Sequence, residues 1–308
     1  MTSEKPFLVL GCGAMACLFA ARLRAAGMSV IMLDTWDEGL QAIRRNGITM
    51  ITDKQKLNVK GIETISNPEN CHDIHLALVL LKSWQTDWAA QQLKICLPAS
   101  GIALTLQNGL GNDEILAASI GQKRTCAGVT TLGATLLEPG VIRAHERGEV
   151  ILPQDQRLEE LTTALQKAGF TIQFEPDIRV LQWGKLIINA AVNPLTAIMQ
   201  IPNGQLLTNS FASELMKMIV QEAANVARAA KITLPHADPF ANVERVIRAT
   251  AGNYPSMYQD FRRGAISEID SINGAVIRYG TQYGVPTPVN QTVLLMFKAL
   301  LEAKKQEK

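Results

Sequence analysis

The chain has 308 residues, 47% of them hydrophobic, and its 30 Lys and Arg residues nearly balance its 28 Asp and Glu residues. This length favours two domains over one, and the apolar content is sufficient to give each domain its own core. A net charge of +2 provides no electrostatic footprint for nucleic acid. We therefore expect a two-domain globular protein without a nucleic-acid partner.

Targeting signals and disulfides are not indicated by the sequence. Residues 1–6 lack the basic and apolar regions of a signal peptide, and the apolar run at residues 76–81 is too short to cross a bilayer. The number of cysteines is odd, all lie in the first half of the chain, and none forms a C-x-x-C motif, which argues against a disulfide framework. We expect a cytoplasmic location and no membrane contact.

The first organised feature is an apolar strand at residues 8–10 that runs into a glycine turn and then a helix-forming segment. The pattern is G-x-G-x-x-A, a variant of the dinucleotide fingerprint whose turn aims backbone N–H groups and a helix dipole at phosphate. A second strand at residues 30–33 completes the expected context. The pattern favours dinucleotide binding over a plain strand–turn–helix, through Gly11, Cys12, Gly13, Ala14, Met15 and Ala16.

Asp34 ends the second predicted strand, 21 residues after Gly13. A carboxylate at this position can accept hydrogen bonds from ribose hydroxyls and would repel the 2′-phosphate of NADP(H), so it favours NAD(H). No Arg or Lys follows before Arg44. The alternative is that Asp34 only caps the next helix, and the sequence leaves both interpretations open.

Each of two cysteine-bearing segments has a functional and a purely structural interpretation. Cys12 lies in the glycine turn near a helix N-terminus, a position that lowers a thiol pKa, although an ordinary small residue is the plainer interpretation. Cys71, His72 and His75 are the only cluster with metal-ligand chemistry, and no second ligand pair accompanies them. We expect no metal site.

Strand and helix patterns alternate from residue 7 to about residue 175. Strand patterns follow at 48–52, 62–65, 74–81, 102–106, 125–132, 149–152 and 170–174, and helical patterns at 37–46, 84–96, 112–119 and 156–168. This alternation predicts a mostly parallel, doubly wound sheet whose ligands bind beyond the carboxyl ends of its strands. Lys82 and Asn108 follow two such strands, so we favour a ligand role for them over a solvated strand end and an ordinary turn.

The character of the chain changes at residues 175–177, and helical periodicity dominates from there to the end. We therefore predict an α/β protein with an N-terminal Rossmann-type dinucleotide-binding domain at residues 1–176. An all-helical C-terminal domain is predicted at residues 177–308, and it offers a candidate surface for homodimer formation.

Lys185, Asn189 and Asn193 recur every four residues in an otherwise apolar helical segment, so they share one helix face. Buried polar groups without partners cost about 1–3 kcal/mol each, so this stripe needs a polar ligand or a polar partner. One ammonium and two amides suit a small molecule that carries a carboxylate and a carbonyl or hydroxyl. The alternative is pairing with carboxylates elsewhere in the fold.

Ser267 is a plausible helix N-cap that would place Glu268 in the first turn of the helix, where the dipole keeps a carboxylate ionised. An ionised Glu268 near Lys185 would compensate a buried ammonium. The alternative is that Glu268 is only a charge at the start of a helix.

Several segments together carry a resemblance to a known family. They are the glycine turn, Leu80-Leu-Lys82, Gln107-Asn108-Gly109, Trp183-Gly-Lys185 with Asn189 and Asn193-Pro-Leu-Thr-Ala, Pro202-Asn203-Gly204, Ser256-Met-Tyr-Gln-Asp260 and Glu268-Ile-Asp-Ser-Ile-Asn-Gly274. On these segments, over nearly its full length, the chain resembles the ketopantoate reductase (2-dehydropantoate 2-reductase) family.

The resemblance implies an oxidoreductase that reduces ketopantoate to D-pantoate with NAD(P)H, a step toward pantothenate and coenzyme A. It implies that Lys185 is the general acid and that Glu268 is its partner near the nicotinamide and the substrate. It further implies a substrate site formed by Asn108, Lys185, Asn189, Asn193, Asn203, Asn253 and Ser256, and a cofactor site that Lys82, Asn108, Ala134 and Glu268 also line.

The chain departs from the family pattern at one position. The family commonly has an Arg just after the second strand that binds the NADP 2′-phosphate, whereas this chain has Asp34-Thr35-Trp36. The departure favours NADH over the family's usual NADPH. It also raises an alternative, an NAD-dependent D-2-hydroxyacid dehydrogenase of the mandelate type, which would retain a similar Lys and Asn set. A non-catalytic dinucleotide-binding redox sensor is a remote alternative. The aligned set of Lys185, Asn189, Asn193 and Glu268 argues against it, because a sensor does not need a proton donor.

Overall fold

The computed structural model describes residues 5–145 and 147–306. Residues 1–4, which belong to the segment from which we expect no signal peptide, lie outside the described residues. The chain forms two compact units, one of the described residues up to Gln107 together with Asn112–Ile178, the other of Asn108–Gly111 together with the described residues from Arg179 onward.

The strands are β1 (Phe7–Leu10), β2 (Val30–Leu33), β3 (Ile48–Ile51), β4 (Lys56–Val59), β5 (Glu63–Ile65), β6 (Leu76–Val79), β7 (Ile102–Thr105), β8 (Thr125–Ala127), β9 (Val129–Thr130), β10 (Ala134–Glu138), β11 (Val141–Ala144), β12 (Val150–Leu152) and β13 (Ile172–Phe174). The helices of the first unit are α1 (Ala14–Ala25), α2 (Asp37–Asn46), α3 (Thr86–Cys96), α4 (Asn112–Ile120) and α5 (Glu159–Lys167). Those that follow are α6 (Ile178–Met199), α7 (Gln205–Thr208), α8 (Ser210–Ala229), α9 (Pro239–Ala249), α10 (Ser256–Arg263), α11 (Asn273–Tyr283) and α12 (Pro288–Gln306).

The central sheet of the first unit has six parallel strands in the order β5-β2-β1-β6-β7-β8. Numbered by their sequence order within this sheet, the strands run 3-2-1-4-5-6, which is the Rossmann order. The predicted fold class is confirmed: an α/β N-terminal part with a parallel central sheet precedes a mostly helical C-terminal part.

Alternate residues of β1 supply two separate cores, one on each face of the sheet. Phe7 and Val9 belong to the cluster that includes α1, whereas Leu8 and Leu10 belong to the cluster that includes α3 and α4. All four residues are buried, because helices cover both faces of the sheet. On the first face, Phe19 stacks on Phe170 with ring centroids 4.5 Å apart.

Not every strand pattern belongs to the parallel sheet. β3 joins a four-stranded mixed sheet, β10-β11-β3-β4, and β12 joins a three-stranded one, β13-β12-β9. Only residues 52–55 separate β3 from β4, too few for a crossover helix, so the two strands pair antiparallel as a hairpin. The sequence patterns missed β4, β10 and β11, where polar or half-exposed residues interrupt the apolar alternation.

The helical unit is built around α6, α8, α11 and α12. The last three pack against one another, and the apolar cluster of this unit includes Trp183 on α6, Met216 on α8 and Phe297 on α12. None of the helices described here has both the length and the hydropathy that crossing a bilayer requires.

Candidate active site

The glycine turn after β1 has the geometry of an anion cradle. Gly11 has a φ of +116°, in the region that favours glycine, and a Cβ there would lie 3.3 Å from the Cβ of the fully buried Ala16. Gly13 is the N-cap residue of α1, where no described side chain caps the helix, and a Cβ on it would meet no described atom within 4 Å. The N-terminal amides of α1 therefore remain available to an anion.

Asp34 ties the end of β2 to this turn. Its carboxylate is 5% exposed; Oδ2 accepts a hydrogen bond from the backbone N–H of Cys12 at 2.7 Å, and Oδ1 accepts from the N–H groups of Thr35 at 2.6 Å and Trp36 at 3.2 Å. Helix α2 begins at Asp37 with Trp36 as its N-cap residue and no side-chain cap among the described residues. Asp34 therefore does not cap α2, which removes the alternative that the sequence left open.

Cys12 is not an activated thiol. The residue is fully buried, and its Sγ donates to Asp34 Oδ2 at 3.1 Å. Burial first, and then the negative charge of Asp34, raise the pKa of the Cys12 thiol well above its usual range. The expectation that the helix N-terminus lowers this pKa is wrong, because desolvation of a thiolate outweighs the dipole at a buried site.

Lys82 follows β6 at the edge of the sheet where the glycine turn and Asp34 lie, because β2, β1 and β6 are adjacent parallel strands. It is half-buried and precedes a 3₁₀ turn at Ser83–Gln85. The Gln107 side-chain amide donates to the Leu81 carbonyl at 3.1 Å and to Thr86 Oγ1 at 2.9 Å, so it holds the segment that carries Lys82. This role of Gln107 was not predicted from the sequence. Ala134, in contrast, begins β10 in the mixed sheet.

In the helical unit, Lys185, Asn189 and Asn193 all lie on α6 and share one face of it. Asn193 is buried, and Lys185 and Asn189 are half-buried. Burial lowers the pKa of Lys185 from 10.5 to about 8, while the carboxylate of Glu268 acts in the opposite direction. Glu268 is itself 5% exposed, so this cation and this anion compensate each other away from bulk water.

The local structure around Glu268 differs from the prediction. Helix α11 begins at Asn273, so Glu268 lies in the turn that precedes this helix and not in a first helical turn. The Oγ of Ser267 accepts from the N–H of Ile269 at 3.2 Å, and therefore stabilises the turn rather than capping a helix. The prediction failed because Ser-Glu favours a turn as well as a helix start. We call residues 268–272 the Glu268 turn.

The loop after β7 packs on the Glu268 turn within the helical unit. Asn108 Nδ2 donates to Glu268 Oε2 at 3.4 Å, and the N–H of Leu110 donates to the carbonyl of Ser271 at 3.0 Å. Gly109 has a φ of +85°, and a Cβ on it would lie 2.3 Å from the same Ser271 carbonyl oxygen. Only glycine fits here, and its presence brings the Asn108 amide to Glu268.

Asn203 and Asn253 are joined through the backbone, because the Asn203 N–H donates to the Asn253 carbonyl at 3.0 Å. The Asn203 side chain is buried; its Nδ2 donates to Thr250 Oγ1 at 2.9 Å, and its Oδ1 has no hydrogen-bond partner among the described residues. Asn253 and Ser256 are exposed, and Ser256 begins α10. Thr250 was not predicted from the sequence, since a Thr near a helix end carries no functional signal.

Within residues 5–145 and 147–306, no group of three or more His, Cys, Asp and Glu side chains is arranged to hold a metal ion.

A Rossmann-ordered sheet with an anion cradle at its first turn is typical of the dinucleotide-binding class of proteins. The profile described as "Ketopantoate reductase PanE/ApbA" matches residues 7–156, and "Ketopantoate reductase PanE/ApbA C terminal" matches residues 177–301. The chain belongs to the ketopantoate reductase family, as the sequence motifs predicted.

Relatives and solved structures agree with this family assignment. The 2-dehydropantoate 2-reductase of Archaeoglobus fulgidus is 30% identical over 95% of this chain and 96% of its own length. The crystal structure of a PanE/ApbA family ketopantoate reductase from Ralstonia eutropha JMP134 has a TM-score of 0.91 at 30% identity, covering 97% of this chain and 99% of that one. D-mandelate dehydrogenase, solved with NADH and anilino(oxo)acetate, has a TM-score of 0.90 at 27% identity over the same shares.

Proposed function

We propose that this protein reduces 2-dehydropantoate to D-pantoate, with Lys185 as the general acid and Glu268 as its partner. The observation that carries the proposal is the half-buried Lys185, which interacts with the buried carboxylate of Glu268 and shares a helix face with Asn189 and Asn193. This is an arrangement for holding a proton donor beside a polar, anionic ligand. The family membership supports the same reaction.

NAD(P)H, held by the glycine turn and Asp34, would supply a hydride for the keto carbon. Lys185 donates a proton to the developing alkoxide, and its positive charge stabilises the negative charge on that oxygen. A pKa of about 8 suits this task, because the ammonium is protonated at neutral pH and is a stronger acid than a solvated lysine. Glu268 prevents burial from lowering the pKa further, and Asn108 holds one oxygen of that carboxylate.

Five amide side chains, one ammonium and one hydroxyl of the helical unit form the proposed substrate site. Asn203 supports this assignment, because a buried amide oxygen without a partner is costly unless a ligand satisfies it. The proposed set consists of Asn108, Lys185, Asn189, Asn193, Asn203, Asn253 and Ser256. We assign substrate binding and catalysis to residues 177–308, with Asn108 added from the loop after β7.

Most residues of the proposed cofactor site belong to the first unit. We propose that residues 1–176 form the dinucleotide-binding domain. The uncapped N-terminus of α1 and the open space at Gly13 fit a pyrophosphate. The proposed set consists of Gly11, Cys12, Gly13, Ala14, Met15, Ala16, Asp34, Lys82, Asn108, Ala134 and Glu268. Asp34 favours NADH, since its carboxylate at the end of β2 opposes a 2′-phosphate.

A second candidate function is an NAD-dependent D-2-hydroxyacid dehydrogenase of the mandelate type. Two observations favour it: the Asp34-Thr35-Trp36 sequence in place of an arginine, and the similarity to a D-mandelate dehydrogenase that was solved with NADH. The residues proposed for catalysis would serve either reaction, so substrate preference must separate the two.

The first experiment compares steady-state kcat/KM for ketopantoate, benzoylformate and other branched 2-keto acids, each with NADH and with NADPH. We expect ketopantoate to be the preferred substrate and NADH the preferred cofactor. A strong preference for benzoylformate would replace the main proposal by the second candidate. Absence of turnover with every 2-keto acid would contradict both.

Lys185→Ala should lower kcat for keto-acid reduction by about 10²–10⁴-fold, because it removes the proton donor. In the unmodified protein, kcat/KM should be constant below pH 8 and fall as pH rises through the Lys185 pKa, since only the protonated amine donates. Burial holds the pKa of Lys185 below its value in the unfolded chain, so the protonated amine opposes folding at neutral pH. Lys185→Ala removes this unfavourable contribution but leaves the buried carboxylate of Glu268 without its cation, so its Tm at pH 7 should not rise.

Lys217→Ala is the matched control for Lys185→Ala, because Lys217 is exposed on α8 of the same unit. It should leave kcat and the pH profile unchanged. Turnover of Lys185→Ala close to that of Lys217→Ala would remove Lys185 from the mechanism.

Asp34→Ala combined with Thr35→Arg should shift the ratio of kcat/KM for NADPH over NADH upward by about tenfold or more, equivalent to about 1.4 kcal/mol. The change removes a negative charge and supplies a cation for the 2′-phosphate. Asp37→Ala, which removes an exposed carboxylate three residues further on, is the control and should not change the ratio. An equal ratio in both variants would mean that the adenosine ribose is bound elsewhere.

A further inference from the structure

Helix α6 contains a proline directly after the last residue of its polar stripe. Pro194 directly follows Asn193 and has no N–H, so the carbonyl of Ala190, four residues earlier, lacks its intrahelical donor. Ala190 is fully buried, and a buried carbonyl without a donor is costly. The helix that carries Lys185, Asn189 and Asn193 therefore needs a hydrogen-bond donor from outside at this point.

Asn273 supplies that donor. Its Nδ2 donates to the Ala190 carbonyl at 3.1 Å and to Asn290 Oδ1 at 3.1 Å, and its side chain is fully buried. Both neighbours of the Asn273 amide nitrogen are acceptors, so the amide cannot reverse its orientation without placing an oxygen against the Ala190 carbonyl.

Asn290 is in turn held by Glu222 of α8. Asn290 Nδ2 donates to Glu222 Oε2 at 2.8 Å, and the N–H groups of Val289 and Asn290, at the start of α12, donate to the same carboxylate at 2.8 and 2.9 Å. A chain of hydrogen bonds, partly buried at Glu222 and buried at Asn273, thus runs from α8 through α12 and α11 to the proline gap of α6. Through Asn290, this chain also holds the Asn273 amide nitrogen that donates to α6.

Asn273 also terminates the Glu268 turn, because it is the first residue of α11 and lies five residues after Glu268. The turn is internally bonded: the Ser271 Oγ donates to the Glu268 carbonyl at 2.9 Å, and the Gly274 N–H donates to the Ile269 carbonyl at 3.0 Å. A hydrogen bond from Asn273 to α6 therefore connects the segment carrying Glu268 to the helix carrying Lys185.

We infer that Asn273 is a positioning residue: by occupying the gap that Pro194 leaves in α6, it fixes the spacing between Lys185 and Glu268. The effect of Asn273 on turnover rests on the proposed function, whereas the effect of Asn273 on the ionisation of Lys185 does not. If Asn273 is removed, Glu268 should interact less strongly with the ammonium, and the pKa of Lys185 should fall.

The test uses Asn273→Ala in the full chain and measures Lys185 itself. The pH dependence of Lys185 acetylation by acetic anhydride, measured by peptide mass spectrometry, should shift to lower pH relative to the unmodified protein. The basic limb of the pH profile of kcat/KM should move in the same direction, with kcat lower by roughly 10- to 100-fold because the reacting groups are misplaced. The KM for the dinucleotide should not change.

Val243→Ala is the control for a loss of stability alone, because Val243 is fully buried on α9 and lies outside this hydrogen-bond chain. It should lower the Tm and leave the Lys185 titration unchanged. If Asn273→Ala likewise lowers the Tm and leaves the titration unchanged, Asn273 is only structural and the inference is wrong. If the titration shifts but no 2-keto acid is reduced, the proposed function fails and the positioning role stands.

Pro194→Ala tests whether the missing N–H at position 194 is the reason that α6 needs Asn273. It also provides a second test if Asn273→Ala folds poorly. An alanine at position 194 restores the N–H that Ala190 needs, so the Tm lost through Asn273→Ala should be smaller in the Pro194→Ala background. Equal losses in both backgrounds would show that Asn273 does not compensate for the proline, which would contradict the inference.

Discussion

The proposed chemistry of the helical unit depends on two opposing influences on the pKa of one ammonium group. Removing the Lys185 amine from water disfavours its charged form, whereas the carboxylate of Glu268 favours it, and burial has the larger effect. An isolated buried charge would be too costly, and a strong ion pair in water would keep the pKa of a lysine near its usual value. The combination gives a lysine that is still protonated at neutral pH and releases its proton readily.

Much of the surrounding structure serves to keep these two groups in place. Glu268 lies in a turn that contacts three segments: Asn108 holds its carboxylate, Leu110 hydrogen-bonds to Ser271, and Asn273 reaches α6. Each contact uses a backbone or amide group with a fixed geometry, so the turn cannot shift without breaking several hydrogen bonds. The proline of α6 explains why one of these contacts must come from another helix.

The features that could be predicted from the sequence are those that depend on the spacing of residues close together in the chain. The glycine turn, the position of Asp34 and the shared face of Lys185, Asn189 and Asn193 all follow from short-range spacing, and so does the parallel order of alternating strands and helices. The family assignment rests on several such segments together. These parts agree with the structure because neighbouring residues alone determine them.

The features that could not be predicted depend on residues far apart in the sequence. The pairing of β3 with β11 and the contact of Asn273 with Ala190 join distant segments, and no sequence pattern predicts that these segments meet. The raised pKa of the Cys12 thiol reflects burial, which the turn motif does not reveal. The turn at Glu268 was missed because the same Ser-Glu pair can begin a helix or a turn, and only the position of α11 decides.

Direct titration of the Lys185 side chain shows whether it behaves as a desolvated ammonium supported by Glu268. NMR of the protein with isotope-labelled lysine side chains, with Lys185→Met used to assign the signal, would follow Lys185 in the unmodified protein and in Glu268→Gln. We expect a pKa of about 8 for Lys185 in the unmodified protein and a lower value in Glu268→Gln. A pKa near 10.5 in both proteins would contradict this expectation.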